Sequence, residues 1–224
     1  VGVLVVVVDS ATPAVTAALV RVDDAVVEVV AERVTVDGRA HGELLAPEVA
    51  EVLSEGGVEP SAVGAVVAGV GPGPFTGLRV GLVTAAALSH ALGIPAYGVC
   101  SLDALALGQP GRVLAATDAR RKELYWAVYD GGLRVAGPDV AKPDLVAKEA
   151  AERHVERAIG AGAALYAAVL GLPTAAEPRY PRAAALAALA AERIRDRAPG
   201  EPLTPLYLRR PDATVPGGRK PALT

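Results

Sequence analysis

The sequence predicts an α/β protein in which a mixed sheet flanked by helices is built once and then begun again. Three observations predict this. The chain opens with three β-rich runs, helical and strand periodicities then alternate, and a fresh pair of strand-like runs starts at Arg112. Val3–Val8 is continuous, apolar and β-branched and ends at Asp9-Ser10, the pattern of a central strand feeding a polar turn. Val15–Val22 and Ala25–Val34 flank Asp23-Asp24 and read as a hairpin. Over Gly42–Leu53 the period changes. Leu45, Val49, Val52 and Leu53 share a helical stripe, with Pro47 either near the start of the helix or bending it, and Gly56-Gly57 ending it.

Ala62–Val70 reads as a strand and Gly71-Pro72-Gly73-Pro74 as a breaker. Thr76 is the expected cap of a helix running to Leu92, which Gly93-Ile94-Pro95 stops. Ala96–Val99 follows as a short strand and Ser101–Leu107 as a short helix with Ser101 as its cap. In the second half, Arg112–Thr117 and Glu123–Tyr129 are strands around a polar turn. Asp130–Lys142 reads as a Gly/Pro-rich connection, and Asp144–Arg153, Gly162–Leu170 and Pro181–Arg197 as helices. Leu206–Leu208 is a candidate last strand. The repeated pattern places a boundary near residues 100–110.

Composition excludes several classes. The 224 residues are 52% hydrophobic and 21% charged, which opposes disorder. A formal net charge of −3 opposes independent nucleic-acid binding, which rests on phosphate neutralisation. Cys100 is the only cysteine, so neither an internal disulfide framework nor a cysteine zinc cluster can form, and a reducing, cytoplasmic setting is expected. His41, His90 and His154 are too far apart in sequence for a local metal pair. The apolar runs Val3–Val8 and Ala183–Ala191 fall well short of the roughly 20 residues of a membrane span. Val3–Val8 also lacks the basic lead of a signal peptide, so no membrane association is expected.

The segment Gly69–Leu82 carries the most information. A Gly-rich link from strand to helix presents backbone N–H groups to a phosphate, or forms a rigid turn. Neither of the common phosphate-loop patterns is present, because no Lys follows Thr76 and the glycine spacing differs. In the helix, Gly77, Gly81, Ala85 and Ser89 recur every four residues. They form a smooth ridge that either admits another helix at close range or is buried within the chain. Asp9, Ser10 and Thr12 place a carboxylate and two hydroxyls after the first strand, and Asp118 is the matching group in the second half, followed by Arg120, Arg121 and Lys122. Turn chemistry alone also favours such residues.

Gly71-Pro72-Gly73-Pro74-Phe75-Thr76-Gly77-Leu78-Arg79 resembles the hallmark segment of the bacterial TsaB (YeaZ) family, with Pro74 where that family usually has Ser. Weaker matches run in family order at Val3–Thr12, His41–Leu53, Ser101–Leu105, Thr117–Arg120 with Glu123–Tyr129, and Pro205–Arg209. The resemblance implies an α/β, two-lobed actin-like (ASKHA, ribonuclease H-like) fold with mixed sheets flanked by helices. The lobes would be residues 1–105, which bind the partner, and 106–210, with a flexible tail at 211–224. It implies a non-catalytic scaffold needed for N6-threonylcarbamoyladenosine at tRNA position 37, working with the transferase TsaD and the ATPase TsaE and meeting tRNA only through that complex.

No catalytic residue, metal or required cofactor is implied for this chain. Weak ATP or ADP with Mg is expected at most at the complex, with Asp9, Ser10 and Thr12 as the nucleotide-phosphate turn. Leu45, Val49, Leu53, Gly77, Gly81, Ala85 and Ser89 are the expected partner surface, with a homodimer on the same surface when the partner is absent. On that expectation, a large residue at Gly81 weakens association and leaves the monomer folded. The competing expectation is a stand-alone ATP-dependent enzyme of the actin/sugar-kinase class, which needs phosphate-handling groups in both lobes.

Overall fold

A computed structural model describes residues 2–24 and 26–209. The first sheet comprises β1 (Val3–Asp9), β2 (Ala14–Val22), β3 (Val27–Val36), β4 (Ala65–Gly69) and β5 (Ala96–Val99) in the order β3-β2-β1-β4-β5. β1 and β2 pair antiparallel, Val3 opposite Val22 through Asp9 opposite Thr16, whereas β4 runs parallel to β1. The buried faces of β1 explain its unbroken valine run, since a strand covered on both sides has no polar positions to alternate.

One face of this sheet carries α1 (His41–Glu55) and α2 (Phe75–Leu92). Leu45, Val49, Val52, Leu78, Leu82 and Ala85 fill the space beneath them, against Val6, Val8, Leu19 and Val66. Pro47 lies inside α1 rather than at its start, and it is exposed, so the carbonyl it leaves without a helical partner faces water. α2 starts at Phe75 with Pro74 at the cap position and no side-chain cap, so the expected Thr76 cap is not made. α3 (Ser101–Ala106) likewise has Cys100 at its cap position, which leaves the Ser101 hydroxyl for another partner.

The second sheet, β8-β7-β6-β9, comprises β6 (Arg112–Asp118), β7 (Leu124–Asp130), β8 (Leu133–Ala141) and β9 (Arg157–Ile159). β8 corrects the expected connection over Asp130–Lys142. Its Gly137-Pro138 interrupts the pattern but is tolerated on an edge strand, where the pairing register shifts. α4 (Pro143–Glu152) follows. The single helix expected over Gly162–Leu170 is two short ones, α5 (Ala161–Leu165) and α6 (Ala167–Leu170). Leu206–Leu208 is not a strand.

The last helix, α7 (Ala183–Arg195), changes the division of the chain. It packs on the outer face of the first sheet, where Leu186, Ala187, Ala190 and Ile194 cover Val5, Val7, Val20, Val67 and Tyr97. A cut at 105/106 therefore separates the two sheets but misassigns α7, because the first sheet cannot bury both faces without it. The expected tail at 211–224 lies outside the described residues.

Candidate functional site

β1 delivers Asp9 to the carboxyl end of the first sheet, and residues 10–13 turn into β2 beneath the start of α2. The Ser10 hydroxyl donates to the Gly77 carbonyl (2.8 Å), and the Gly81 N–H donates to Ser10 Oγ (2.8 Å), so one hydroxyl sits at both ends of an i, i+4 rung of α2. The glycines of this region follow from that approach. A Cβ on Gly69 would lie 1.7 Å from Asp9 Oδ2, on Gly73 2.3 Å from the Ala11 carbonyl, on Gly77 3.1 Å from the Ser10 carbonyl and on Gly81 2.5 Å from Ser10 Oγ. Gly69, Gly73, Gly77 and Gly81 thus form a seat for residues 9–11. The spacing of four arises from the close approach of residues 9–11, through side-chain oxygens at Gly69 and Gly81 and through backbone at Gly73 and Gly77.

Asp9 is 1% exposed. Its carboxylate accepts from the Ser101 hydroxyl (2.6 Å) and the Ala11 N–H (3.0 Å). Burial raises its pKa from 3.8 to about 6; the Ser101 and Ala11 hydrogen bonds and the nearby His41 act in the opposite direction. Thr12 Oγ1 accepts from the Ala14 N–H (3.2 Å), and His41 Nε2 lies 2.7 Å from the Thr12 carbonyl, which makes that nitrogen the donor. The three side chains expected to meet a phosphate are therefore committed inside the chain. In the second half, Asp118 Oδ1 accepts from the Arg120 N–H (2.9 Å) and shapes the β6–β7 turn, where Arg120, Arg121 and Lys122 all have positive φ.

The hallmark segment divides by role. Gly71, Pro72, Gly73 and Leu78 are buried, and the Ser101 N–H donates to the Gly71 carbonyl (2.8 Å). Phe75, Thr76 and Arg79 are exposed. The Arg79 guanidinium lies 3.6 Å over the Phe75 ring and its Nε–H donates to the Tyr207 hydroxyl (2.8 Å), while Phe75 and Tyr207 stack at 5.3 Å. A cavity of about 170 Å³ opens between the lobes, lined by Ser10, Thr12, His41, Thr76, Gly77 and Arg120. Among the described residues, no three His, Cys, Asp or Glu side chains converge as a metal site would need.

The expected partner surface is corrected. Leu45, Val49, Leu53, Gly81 and Ala85 are buried under the chain's own helices, and Gly77 faces Ser10. Ser89 donates to the Ile94 carbonyl (2.6 Å) at the end of α2. What α2 turns outward is Phe75 (49% exposed), Arg79, Val83 (66% exposed), Ala86 and Ala87.

The two mixed sheets with flanking helices, the cleft between them and the sealed turn at its floor define a two-lobed α/β protein of the actin-like class. Residues 28–194 match the model of the TsaD family, described as tRNA N6-adenosine threonylcarbamoyltransferase. An uncharacterized protein of Mycobacterium tuberculosis is 50% identical over 207 residues, covering 92% of each chain. The tRNA threonylcarbamoyladenosine biosynthesis protein TsaB of Escherichia coli is 38% identical over 96 residues, 41% of this chain and 42% of that one. The structure of YeaZ from Pseudomonas aeruginosa superimposes with a TM-score of 0.74 at 28% identity, covering 92% of this chain and all of that one. The chain belongs to the TsaB/YeaZ family.

Proposed function

We propose that this chain is a non-catalytic scaffold in the formation of N6-threonylcarbamoyladenosine on tRNA, docking a TsaD-type transferase subunit and acting together with a TsaE-type ATPase. Family membership supports a part in that biosynthesis. The sealing of Asp9 under Gly69 supports the absence of catalysis, since its carboxylate has no open side toward a metal or phosphate. Nucleotide, if recruited, then belongs to the assembled complex, and tRNA is met through the transferase subunit. The setting is cytoplasmic.

The observation that carries the docking role is the outer face of α2. The helix has a mean hydropathy of 1.3 over 18 residues, yet only 22% of that stretch is buried within the chain. By length and composition alone it would pass for a membrane span, but its inner face of Leu78, Leu82 and Ala85 is core of the first lobe. An uncovered apolar face rimmed by polar residues such as Arg79 and His90 is the pattern of a protein contact. Without its partner, a second copy of the chain covers the same face.

The test replaces Val83 by Asp and titrates the variant against the TsaD-type subunit. Burying a valine is worth about 1.5–3 kcal/mol, so affinity falls at least about tenfold while the circular dichroism spectrum and melting temperature stay unchanged. Reconstituted tRNA modification falls in parallel. Unaltered affinity, or full modification activity with this chain left out, overturns the proposal.

A further inference from the structure

Besides the Tyr125 hydroxyl, which donates to the Gly73 carbonyl (3.4 Å), two ties between the lobes stand out among the described residues. One lies at α3, where Asp103 accepts from the Tyr129 hydroxyl (2.7 Å) and pairs with Arg134 (3.2 Å). The other is made by the segment after α7. Glu201 N–H donates to the Ala96 carbonyl and Leu206 N–H to the Val70 carbonyl, which lays the chain along the first lobe. Leu203 and Leu206 pack on the first lobe's core, and Leu206 and Leu208 pack on the second core around Tyr125 and Ile159. Tyr207 is gripped by Phe75 and Arg79 of α2. Two residues on, Arg209 pairs with Glu123 and donates to the Ala119 carbonyl (3.2 Å), holding the β6–β7 turn. That turn carries Arg120 to the cavity, where its guanidinium approaches Gly38 of the first lobe.

We infer that residues 203–209 form a releasable strap that sets the spacing of the two lobes across the cavity, with Phe75 and Arg79 as its anchor on one side and Glu123 and Ala119 on the other. The anchors suit release. Tyr207 is 42% exposed and the Arg209–Glu123 pair is partly solvated, so each bond is worth far less than a buried contact. The Phe75-x-x-x-Arg79 spacing thereby acquires a role inside the chain, separate from docking at Val83.

The experiment is amide hydrogen exchange on the full-length protein, comparing Arg79→Ala and Arg209→Ala with the parent. Because a strap couples its two anchors, Arg79→Ala raises exchange in residues 119–123, and Arg209→Ala raises it in residues 78–81, the first hydrogen-bonded amides of α2, each about fivefold, the scale of a local opening rather than global unfolding. The melting temperature falls by only a few degrees. If each variant loosens its own anchor and leaves the far one protected, the inference is wrong. Should Arg209→Ala fail to fold, Tyr207→Phe, which removes one hydroxyl, reads the same two segments with the same expected and refuting outcomes.

Discussion

Gly81→Ala in α2 should destabilise the protein, and Ser10→Ala should reverse the sign of its effect. In the parent, the new Cβ lies 2.5 Å from Ser10 Oγ, so the hydroxyl must leave its place between the Gly77 carbonyl and the residue 81 N–H. Overpacking of this kind costs about 1–3 kcal/mol, and disturbing the two hydrogen bonds adds about 1 kcal/mol, against a helix-propensity gain of about 1 kcal/mol for Ala over Gly. The net expectation is a loss of about 1–3 kcal/mol. Ser10→Ala removes Oγ and costs about 1–2 kcal/mol by itself. In that background the next nearest atoms, Ser10 Cβ and N, are 3.5 Å from the new methyl, an ordinary contact, so Gly81→Ala then stabilises by about 0.5–1 kcal/mol. The assay is urea unfolding of the four proteins of the cycle, with a coupling of about 2 kcal/mol or more expected. An equal cost of Gly81→Ala in both backgrounds would refute the seat, and with it the account of why the hallmark glycines recur every four residues.

Two further outcomes test the interior. The pKa of Asp9 is raised in the fold, so its contribution to stability is fully present below pH 3.8 and is lost as pH rises through about 6. That separation corresponds to about 3 kcal/mol. Asp9→Asn should therefore gain about that much relative to the parent between pH 4 and pH 8, and a difference that does not vary with pH contradicts the buried carboxylate. Leu186→Ala, in the fully buried stripe of α7, should cost about 2–5 kcal/mol in chemical denaturation and loosen exchange in β1 and β4; a loss confined to the second lobe would speak against the assignment of α7 to the first sheet.

The elements that declare themselves locally were legible in the sequence. The valine run of β1, the β2–β3 hairpin, the small-to-large periodicity of α2 and the duplicated sheet all follow from patterns within short windows. β8 was not legible because Gly137-Pro138 breaks its alternation, and only its place on a sheet edge makes the break tolerable. β9 has three residues, too few for a periodicity.

The site was legible in identity and not in role. Asp9, Ser10, Thr12 and the glycine segment do meet, but Ser10 reaches residues 67 and 71 positions away, which no local pattern encodes. One signal did exist. The glycine series of period four already begins at Gly69 and Gly73, before the helix starts, and a helical ridge cannot extend into a strand and a loop. A series that continues across three kinds of backbone marks a second chain segment lying against all of them. Leu45, Val49 and Leu53 misled for a simpler reason. An apolar stripe says that a helix is covered, and only the tertiary structure says by what.

The return of α7 to the first sheet has a consequence for how the molecule is made. Val5, Val7, Val20 and Val67 are synthesised early, but their cover arrives only with residues 183–194, after the whole second lobe has been translated. Half of the first lobe's interior must wait through most of synthesis with its valines wet. The amino-terminal half is thus no autonomous folding unit but the earlier part of a single cooperative event, completed when α7 docks.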